Sequence, residues 1–293
     1  MTIRGTTGIL GIFGDPVAHS LSPAMQNAAL RSCGIDAVYV PFHVRPQHLE
    51  GAVAAIRSLD IRGVNVTVPH KEEICRYLDA IDAEARLIGA VNTIVNRQGT
   101  LTGYNTDGLG LLRSLEEDFG FRPEGRRILL LGAGGACRAA LAALARAGAA
   151  WIGVANRTRS RAETLVREFE SKLVGTTFAS FSSLNLEAEA LAAVFPGIDL
   201  VVNTSSVGLK GEAFAALPLA ALNPRASVYD MVYLPGGTPL LRTARDLGHR
   251  AADGTGMLAA QGEEAFRLWT GVSPPPGEMR TTVLRELSSR ECP

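Results

Sequence analysis

The chain predicts an α/β fold, and three observations carry that prediction. Short apolar runs alternate with longer stretches of helical periodicity, the pattern of strands laid parallel by crossover helices. A glycine cluster, Gly132-Ala133-Gly134-Gly135-Ala136, follows one of the apolar runs directly and opens a helical stretch. With 293 residues, 46% of them hydrophobic, there is also material for two buried cores rather than one.

Taken in order, residues 9–13 form the first expected strand, 23–31 a helix that opens on proline, 37–42 a strand, 49–59 a helix and 64–68 a buried strand. Residues 90–96 and 100–104 flank Arg97-Gln98-Gly99, a hairpin signal because glycine accepts the positive φ of a tight turn. A connecting helix is expected over 109–115, and Phe121-Arg122-Pro123-Glu124-Gly125 breaks the chain before a fresh strand at 128–131. From there the pattern runs through a helix (136–146), a strand (151–155), a helix (161–169) and strands at 200–203 and 228–229, a Rossmann-like succession. Residues 178–196 carry no usable pattern. Helices at 257–269 and 278–287 flank Ser273-Pro274-Pro275-Pro276 and are expected to return to the first domain. The division is therefore 1–107 with 256–293 as a mostly parallel α/β domain, and 108–255 as the inserted Rossmann-like domain.

Composition removes whole classes of partner. Lysine plus arginine and aspartate plus glutamate each count 29, so no net field draws in nucleic acid or an anionic membrane. Arg138 and Arg146 interrupt the longest apolar candidate, leaving nothing near the ~20 residues a membrane span needs. Cys33, Cys75, Cys137 and Cys292 fall in no paired or metal-ligand spacing, and the five histidines show no zinc pattern. Reduced thiols, no metal and a cytoplasmic address are expected, the first residues lacking the apolar core of a signal peptide. Oligomeric state stays open between monomer and homodimer.

The glycine cluster has the chemistry of a pyrophosphate loop. Gly132 and Gly134 let the backbone turn sharply and come close to an anion, while the next helix offers unpaired N–H groups and the positive end of its dipole. Against the usual G-x-G-x-x-G/A pattern the last position is Cys137, so room must come from Gly135. At the end of the next strand, NAD would call for a carboxylate to hold the ribose 2′-hydroxyl. This chain has Asn156-Arg157-Thr158, with Arg161 one turn on. Two guanidiniums suit a 2′-phosphate, so NADP is the expected cofactor; Thr158 either donates its hydroxyl to that phosphate or caps the helix.

Elsewhere, Lys71 follows a strand and Val68-Pro69, where the residue before proline is held extended. A lysine beside a carboxylate can relay the proton that leaves a secondary alcohol as hydride departs, and Asp107, after the hairpin, is the candidate carboxylate. The competing readings are a solvent-exposed lysine and a helix N-cap. In His19-Ser20-Leu21-Ser22-Pro23, Ser22 before proline reads as a cap, yet two hydroxyls at a helix N-terminus also suit a ligand carboxylate, and Ser20 has no capping duty to explain it. His19 reads as a packing residue.

These residues resemble the shikimate dehydrogenase family, in order, over residues 11–262. The resemblance is carried by Ser20-Leu21-Ser22-Pro23, Asn65-Val66-Thr67-Val68-Pro69 with Lys71, Gly89-Ala90-Val91-Asn92-Thr93, Asn105-Thr106-Asp107-Gly108, the glycine loop and Asn156-Arg157-Thr158. Later come Tyr229-Asp230-Met231-Val232-Tyr233 and Gly254-Thr255-Gly256-Met257-Leu258 with Gln261. The segment 204–209 is similar too, but Val207 stands near a variable spot and no site residue is assigned there.

The resemblance implies reversible reduction of 3-dehydroshikimate to shikimate by NADPH, a step of aromatic amino-acid biosynthesis. It implies Ser20 and Ser22 on the substrate carboxylate, Thr67, Asn92, Asp107, Tyr233 and Gln261 around its hydroxyls, Lys71 as acid/base, and Met231 and Gly256 beside the nicotinamide. Gly256 could equally be a turn glycine, and Gln261 a polar position on a helix surface. Two alternatives accompany this expectation: a quinate/shikimate enzyme preferring NAD, and a non-catalytic module that senses NADP(H).

Overall fold

The computed structural model describes residues 2–175, 179–215 and 217–290. The elements are β1 (Gly8–Gly14), α1 (Ser22–Ser32), β2 (Ala37–His43), α2 (Leu49–Ser58), β3 (Gly63–Val66), β4 (Ala80–Ile81), α3 (Ala83–Ile88), β5 (Thr93–Arg97), β6 (Thr100–Tyr104) and α4 (Asp107–Phe119). They continue as β7 (Arg127–Leu131), α5 (Gly135–Arg146), β8 (Trp151–Asn156), α6 (Arg159–Lys172), β9 (Ser180–Asn185), α7 (Ala188–Val194), β10 (Leu200–Asn203), β11 (Ser227–Asp230), α8 (Pro239–Asp246), β12 (Arg250–Asp253), α9 (Thr255–Thr270) and α10 (Glu278–Ser289). Two compact units result: Met1–Gly110 with Leu258–Pro293, and Leu111–Met257.

The first unit holds a six-stranded sheet in the order β2-β1-β3-β5-β6-β4. β1 pairs in parallel with both β2 and β3, the crossovers through α1 and α2 making parallel pairing possible. The sheet then turns antiparallel at β5, whose hairpin to β6 closes through Gln98 (φ 54) and Gly99 (φ 85), the primed-turn geometry that matches strand twist. β5 begins at Thr93 rather than at residue 90, and Val91 before it gives its N–H to the Lys71 carbonyl at 2.8 Å. β3 likewise ends at Val66, because the chain turns back and His70 N–H bonds the Thr67 carbonyl at 2.9 Å.

Val53 and Ile56 of α2 bury against Phe13, Val64, Val66, Ile94 and Leu101 of the sheet. The C-terminal helices pack on this unit as well. Trp269 of α9 donates to the Ile94 carbonyl at 2.9 Å, and a side chain at Gly262 would collide with Met25 of α1. Helix α4 runs past residue 115 to Phe119 and stops where Gly120 (φ 60) gives its N–H to the Glu116 carbonyl at 2.8 Å, the αL ending.

The second unit is a wholly parallel six-stranded sheet, β12-β11-β10-β7-β8-β9. That order reverses direction between β7 and β10, the doubly wound arrangement in which ligands bind beyond the strand ends. Its core gathers Leu129, Leu131, Val201 and Val228 under Leu191, Phe195, Leu240 and Leu241. Edge strand β9 falls in the stretch that carried no sequence pattern: it reads Ser-Phe-Ser-Ser-Leu-Asn and is nowhere fully buried, so no apolar run marks it.

Candidate active site

Lys71 and Asp107 meet in the first unit. Lys71 Nζ donates to Asp107 Oδ2 at 2.6 Å, with side chains 18% and 6% exposed, so the lysine is neither solvated nor free. Its main chain is fixed on both sides: the Lys71 carbonyl accepts from Val91, and the preceding His70 is buried with its ring nitrogen 2.6 Å from the Val44 carbonyl. Asp107 opens α4 without capping it through its side chain; its own N–H donates to Asn105 Oδ1 at 3.1 Å. The second carboxylate oxygen, Oδ1, accepts from Asn92 Nδ2 at 2.8 Å.

Asn92 is the hub of this cluster and is buried. Its Nδ2 also donates to Thr106 Oγ1 at 2.9 Å and, more weakly, to Gln261 Oε1 at 3.4 Å. Its Oδ1 accepts from Thr106 N–H at 2.9 Å. Gln261 is not a surface residue: it is 8% exposed and donates Nε2 to the Leu258 carbonyl at 2.8 Å. Thr67 sits half-buried just past β3 with its methyl toward Gly14, and its hydroxyl makes no hydrogen bond among the described residues.

The serines correct the capping expectation. Ser22 is the first residue of α1, the flanking Leu21 offers no side-chain cap, and it is Ser20 that serves the backbone, its Oγ accepting Ser22 N–H at 3.2 Å. Ser22 is buried. On the neighbouring strand, the buried Tyr39 donates its hydroxyl to Asn65 Oδ1 at 2.7 Å. Neither Tyr39 nor Asn65 carried a role in the sequence reading, because only the pairing of β2 and β3 on either side of β1 brings them together.

In the second unit the glycine turn follows β7. Gly132 has φ 118, and an added Cβ would stand 2.9 Å from Thr204 Oγ1 and 3.1 Å from Ser205 Cβ. Gly134 caps α5 without a side-chain hydrogen bond, and a Cβ there would meet nothing. The first-turn amides of α5, beginning with Gly135 and Ala136, thus lack a side-chain acceptor, with half-buried Ala133 completing the turn. Cys137, the departure from the usual pattern, points inward: burial pushes its thiol up to about 12, and it bonds Thr204. At the end of β8, Arg157 and Arg161 are exposed and pair with no carboxylate among the described residues. Asn156 Nδ2 donates to the Thr158 carbonyl at 2.9 Å, and Thr158 precedes α6 without capping it through its hydroxyl. An open turn with free amides, followed by two unpaired guanidiniums, fits a phosphorylated dinucleotide.

Met231, Val232 and half-buried Tyr233 follow β11, held by Asp230. Asp230 is fully buried, accepts from Asn203 at 2.7 Å, Val232 N–H at 3.0 Å and Thr238 at 2.6 Å, and burial raises its carboxyl to about 6. Gly256 lies in the first turn of α9 and is not a turn glycine. A methyl group there would overlap Ser114 Oγ and stand 3.0 Å from Asp118 Oδ2, so its missing side chain makes room for α4.

Among the described residues no group of three histidine, cysteine, aspartate or glutamate side chains could hold a metal ion, and no helix is long and apolar enough to cross a membrane. Cys33, Cys75 and Cys137 form no disulfide among the described residues; Cys292 lies outside them.

The doubly wound sheet with its open glycine turn, and the lysine–carboxylate pair of the first unit, define an α/β dehydrogenase. Family models match in sequence order: the shikimate dehydrogenase substrate binding domain over residues 12–94, shikimate/quinate 5-dehydrogenase over 115–200 and the shikimate 5′-dehydrogenase C-terminal domain over 254–284. The shikimate dehydrogenase (NADP(+)) of Geobacter metallireducens is 55% identical over 287 residues, 98% of this chain and 99% of that protein. That of Geobacter sulfurreducens is 50% identical over 99% of this chain and 100% of its own length. The crystal structure of shikimate 5-dehydrogenase from Thermus thermophilus in complex with NADP(H) and shikimate superposes with a TM-score of 0.83 at 38% identity, covering 96% of this chain and 100% of that one. The chain belongs to the shikimate dehydrogenase family.

Proposed function

We propose that this chain is an NADP-dependent shikimate dehydrogenase that interconverts 3-dehydroshikimate and shikimate. The observation that carries the mechanism is the buried Lys71–Asp107 pair at 2.6 Å, to which Asn92 adds a fixed donor at 2.8 Å. In the oxidising direction the substrate hydroxyl loses a proton, and in the reducing direction the new alkoxide needs one; Lys71 Nζ exchanges it while Asp107 holds the ammonium in place. NADP supplies the hydride acceptor or donor.

The Leu258–Pro293 return and residues 1–110 form the substrate-binding unit in this reading. Ser20 and Ser22 hold the ligand carboxylate, and Thr67, Asn92, Asp107 and Gln261 satisfy its hydroxyls. Donors matched to ring hydroxyls discriminate against analogues lacking one, because the buried partners would be stranded. In the nucleotide unit the Gly132–Ala136 turn takes the pyrophosphate, Asn156, Arg157, Thr158 and Arg161 the adenosine end with its 2′-phosphate, and Met231 and Gly256 the nicotinamide. The enzyme is cytoplasmic and acts on a small molecule without nucleic acid or membrane; sedimentation decides between monomer and homodimer.

The test is one set of initial rates, shikimate and quinate each with NADP⁺ and NAD⁺. Turnover confined to shikimate with NADP⁺ supports the proposal. A preference for quinate with NAD⁺ removes the argument from Arg157 and Arg161, and silence in all four pairings leaves a module that only senses the nucleotide.

A further inference from the structure

Helices α1 and α9 meet at a buried amide. Gln26 lies in α1 one turn after Ser22, on the same face of the helix, and is fully buried. Its Nε2 donates to the Gly262 carbonyl at 3.0 Å. That carbonyl lies inside α9, whose own ladder already supplies it with an N–H four residues on. Gln26 Oε1 is buried as well and accepts no hydrogen bond among the described residues. Turning the amide over gives no relief, because a carbonyl only accepts and Oε1 would then face Gly262. An unpaired buried amide oxygen destabilises, so an apolar side chain of the same shape would suit the core better.

What the amide does is hold two helices in register. Beside it on α1, Asn27 fixes that helix to β2, donating to the Tyr39 carbonyl at 2.8 Å and accepting the Tyr39 N–H at 2.9 Å. On the α9 side the approach is so close that a Cβ at Gly262 would overlap the Met25 methyl group and stand 3.3 Å from Gln26 Nε2. Gly262 is the next residue after Gln261, and Gln261 takes its place from α9 itself: its short bond, to the Leu258 carbonyl at 2.8 Å, stays within the helix. Its contacts beyond the helix are long, Oε1 lying 3.4 Å from Asn92 Nδ2 and 3.5 Å from Thr106 Oγ1. The bond of Trp269 to the Ile94 carbonyl, which ties α9 to the sheet, comes about two turns further on.

We propose that Gln26 is a positioning residue of the substrate pocket, a role that rests on the assignments of Ser20, Ser22 and Gln261 made above. By tying α9 to α1 at Gly262, it sets the distance between the carboxylate end at the two serines and the hydroxyl end at Gln261. Shikimate carries its carboxylate and its hydroxyls on one small ring, so their separation is fixed by the ligand. Both ends bind at full strength only when the two helices are held to match. Proton transfer is left alone, since neither Lys71 nor Asp107 belongs to α1 or α9.

The experiment replaces Gln26 by methionine, an apolar residue of similar length, and follows shikimate both by initial rates and by calorimetric titration of the NADPH complex. Alcohol and reduced cofactor do not react, so the titration reads Kd even in an inactive variant. We expect Gln26→Met to raise KM and Kd for shikimate about fivefold, with kcat and KM for NADP⁺ within about twofold of the wild type and Tm no lower. In a Gln261→Ala background the same substitution should leave Kd unchanged, because the residue through which Gln26 acts is gone. An unchanged Kd in Gln26→Met, the same fold-change with and without Gln261, or a Gln26→Met protein that does not fold would each overturn the proposal, the last by making Gln26 a residue the core requires. If the wild type neither binds nor oxidises shikimate, the functional reading itself falls; if it does both and Gln26→Met matches it, only Gln26's part does.

Discussion

Lys71 Nζ and Asp107 Oδ2 stand 2.6 Å apart, and Asn92 occupies the other carboxylate oxygen at 2.8 Å, so the pair cannot reorient without breaking a buried hydrogen bond. Fixed orientation is what proton transfer at one hydroxyl needs, since a positioned acid/base contributes about 10²–10⁴ in rate. Lys71→Ala should therefore lower kcat by about 10³ while leaving NADP⁺ affinity, read by fluorescence quenching, unchanged. Near-normal turnover in that variant would remove Lys71 from the reaction.

Arg157 and Arg161 are exposed and pair with no carboxylate among the described residues, so each is available to a phosphate without first losing a partner. A hydrogen bond to a charged group contributes about 1.5–3 kcal/mol. Arg157→Ala should then raise KM for NADP⁺ by about 10- to 100-fold, leave KM for NAD⁺ within about twofold, and flatten the salt dependence of NADP⁺ binding. Equal effects on the two cofactors would mean that the guanidinium stacks on adenine instead of reading the 2′-phosphate.

Gly256 sits against Ser114 so closely that any side chain would overlap Ser114 Oγ, which itself bonds Tyr229 at 2.8 Å and Asp118 at 2.8 Å. Gly256→Ala should destabilise the protein by about 1–3 kcal/mol through overpacking, seen as a lower Tm in calorimetry. Because the Ser114 Cβ would still lie 3.3 Å away, adding Ser114→Ala should recover only part of the loss. Full stability in Gly256→Ala alone would show that α4 and α9 separate freely.

The parts of this site that were legible in the sequence are those whose chemistry is local. Lys71 after a strand, the glycine turn and Asn156-Arg157-Thr158 announce themselves by residue type and by what precedes them. Tyr39, Asn65 and His70 were not legible, because their roles come from strand pairings and buried partners far away in sequence, such as the Val44 carbonyl for His70. β9 escaped for a different reason: an edge strand buries little, so nothing forces apolar residues into it, and Ser182 there serves Trp151 Nε1 at 3.1 Å rather than a core. Gly256 stood out in the sequence as a candidate beside the nicotinamide, whereas the close approach of Ser114, which leaves no room for a side chain there, is a tertiary fact.

Asp230 gives the fold a pH dependence of unusual sign. Burial raises its carboxyl from 3.8 to about 6, so the folded protein binds this proton more tightly than the unfolded chain does. The corresponding stability is fully present below pH 3.8, declines as pH rises between the two values, and is gone above about 6, a swing of about 3 kcal/mol. Most paired carboxylates act in the opposite sense, which is why the contribution must be isolated by substitution. Asn at this position can still accept from Asn203 and Val232 N–H through Oδ1 while its amide faces Thr238, so the loop bearing Met231 and Tyr233 keeps its anchors. Relative to wild type, Asp230→Asn should therefore gain stability by up to about 3 kcal/mol between pH 4 and pH 7 in urea unfolding. Parallel pH curves for the two proteins would mean that Asp230 is ionised across the whole range, its three donors outweighing burial.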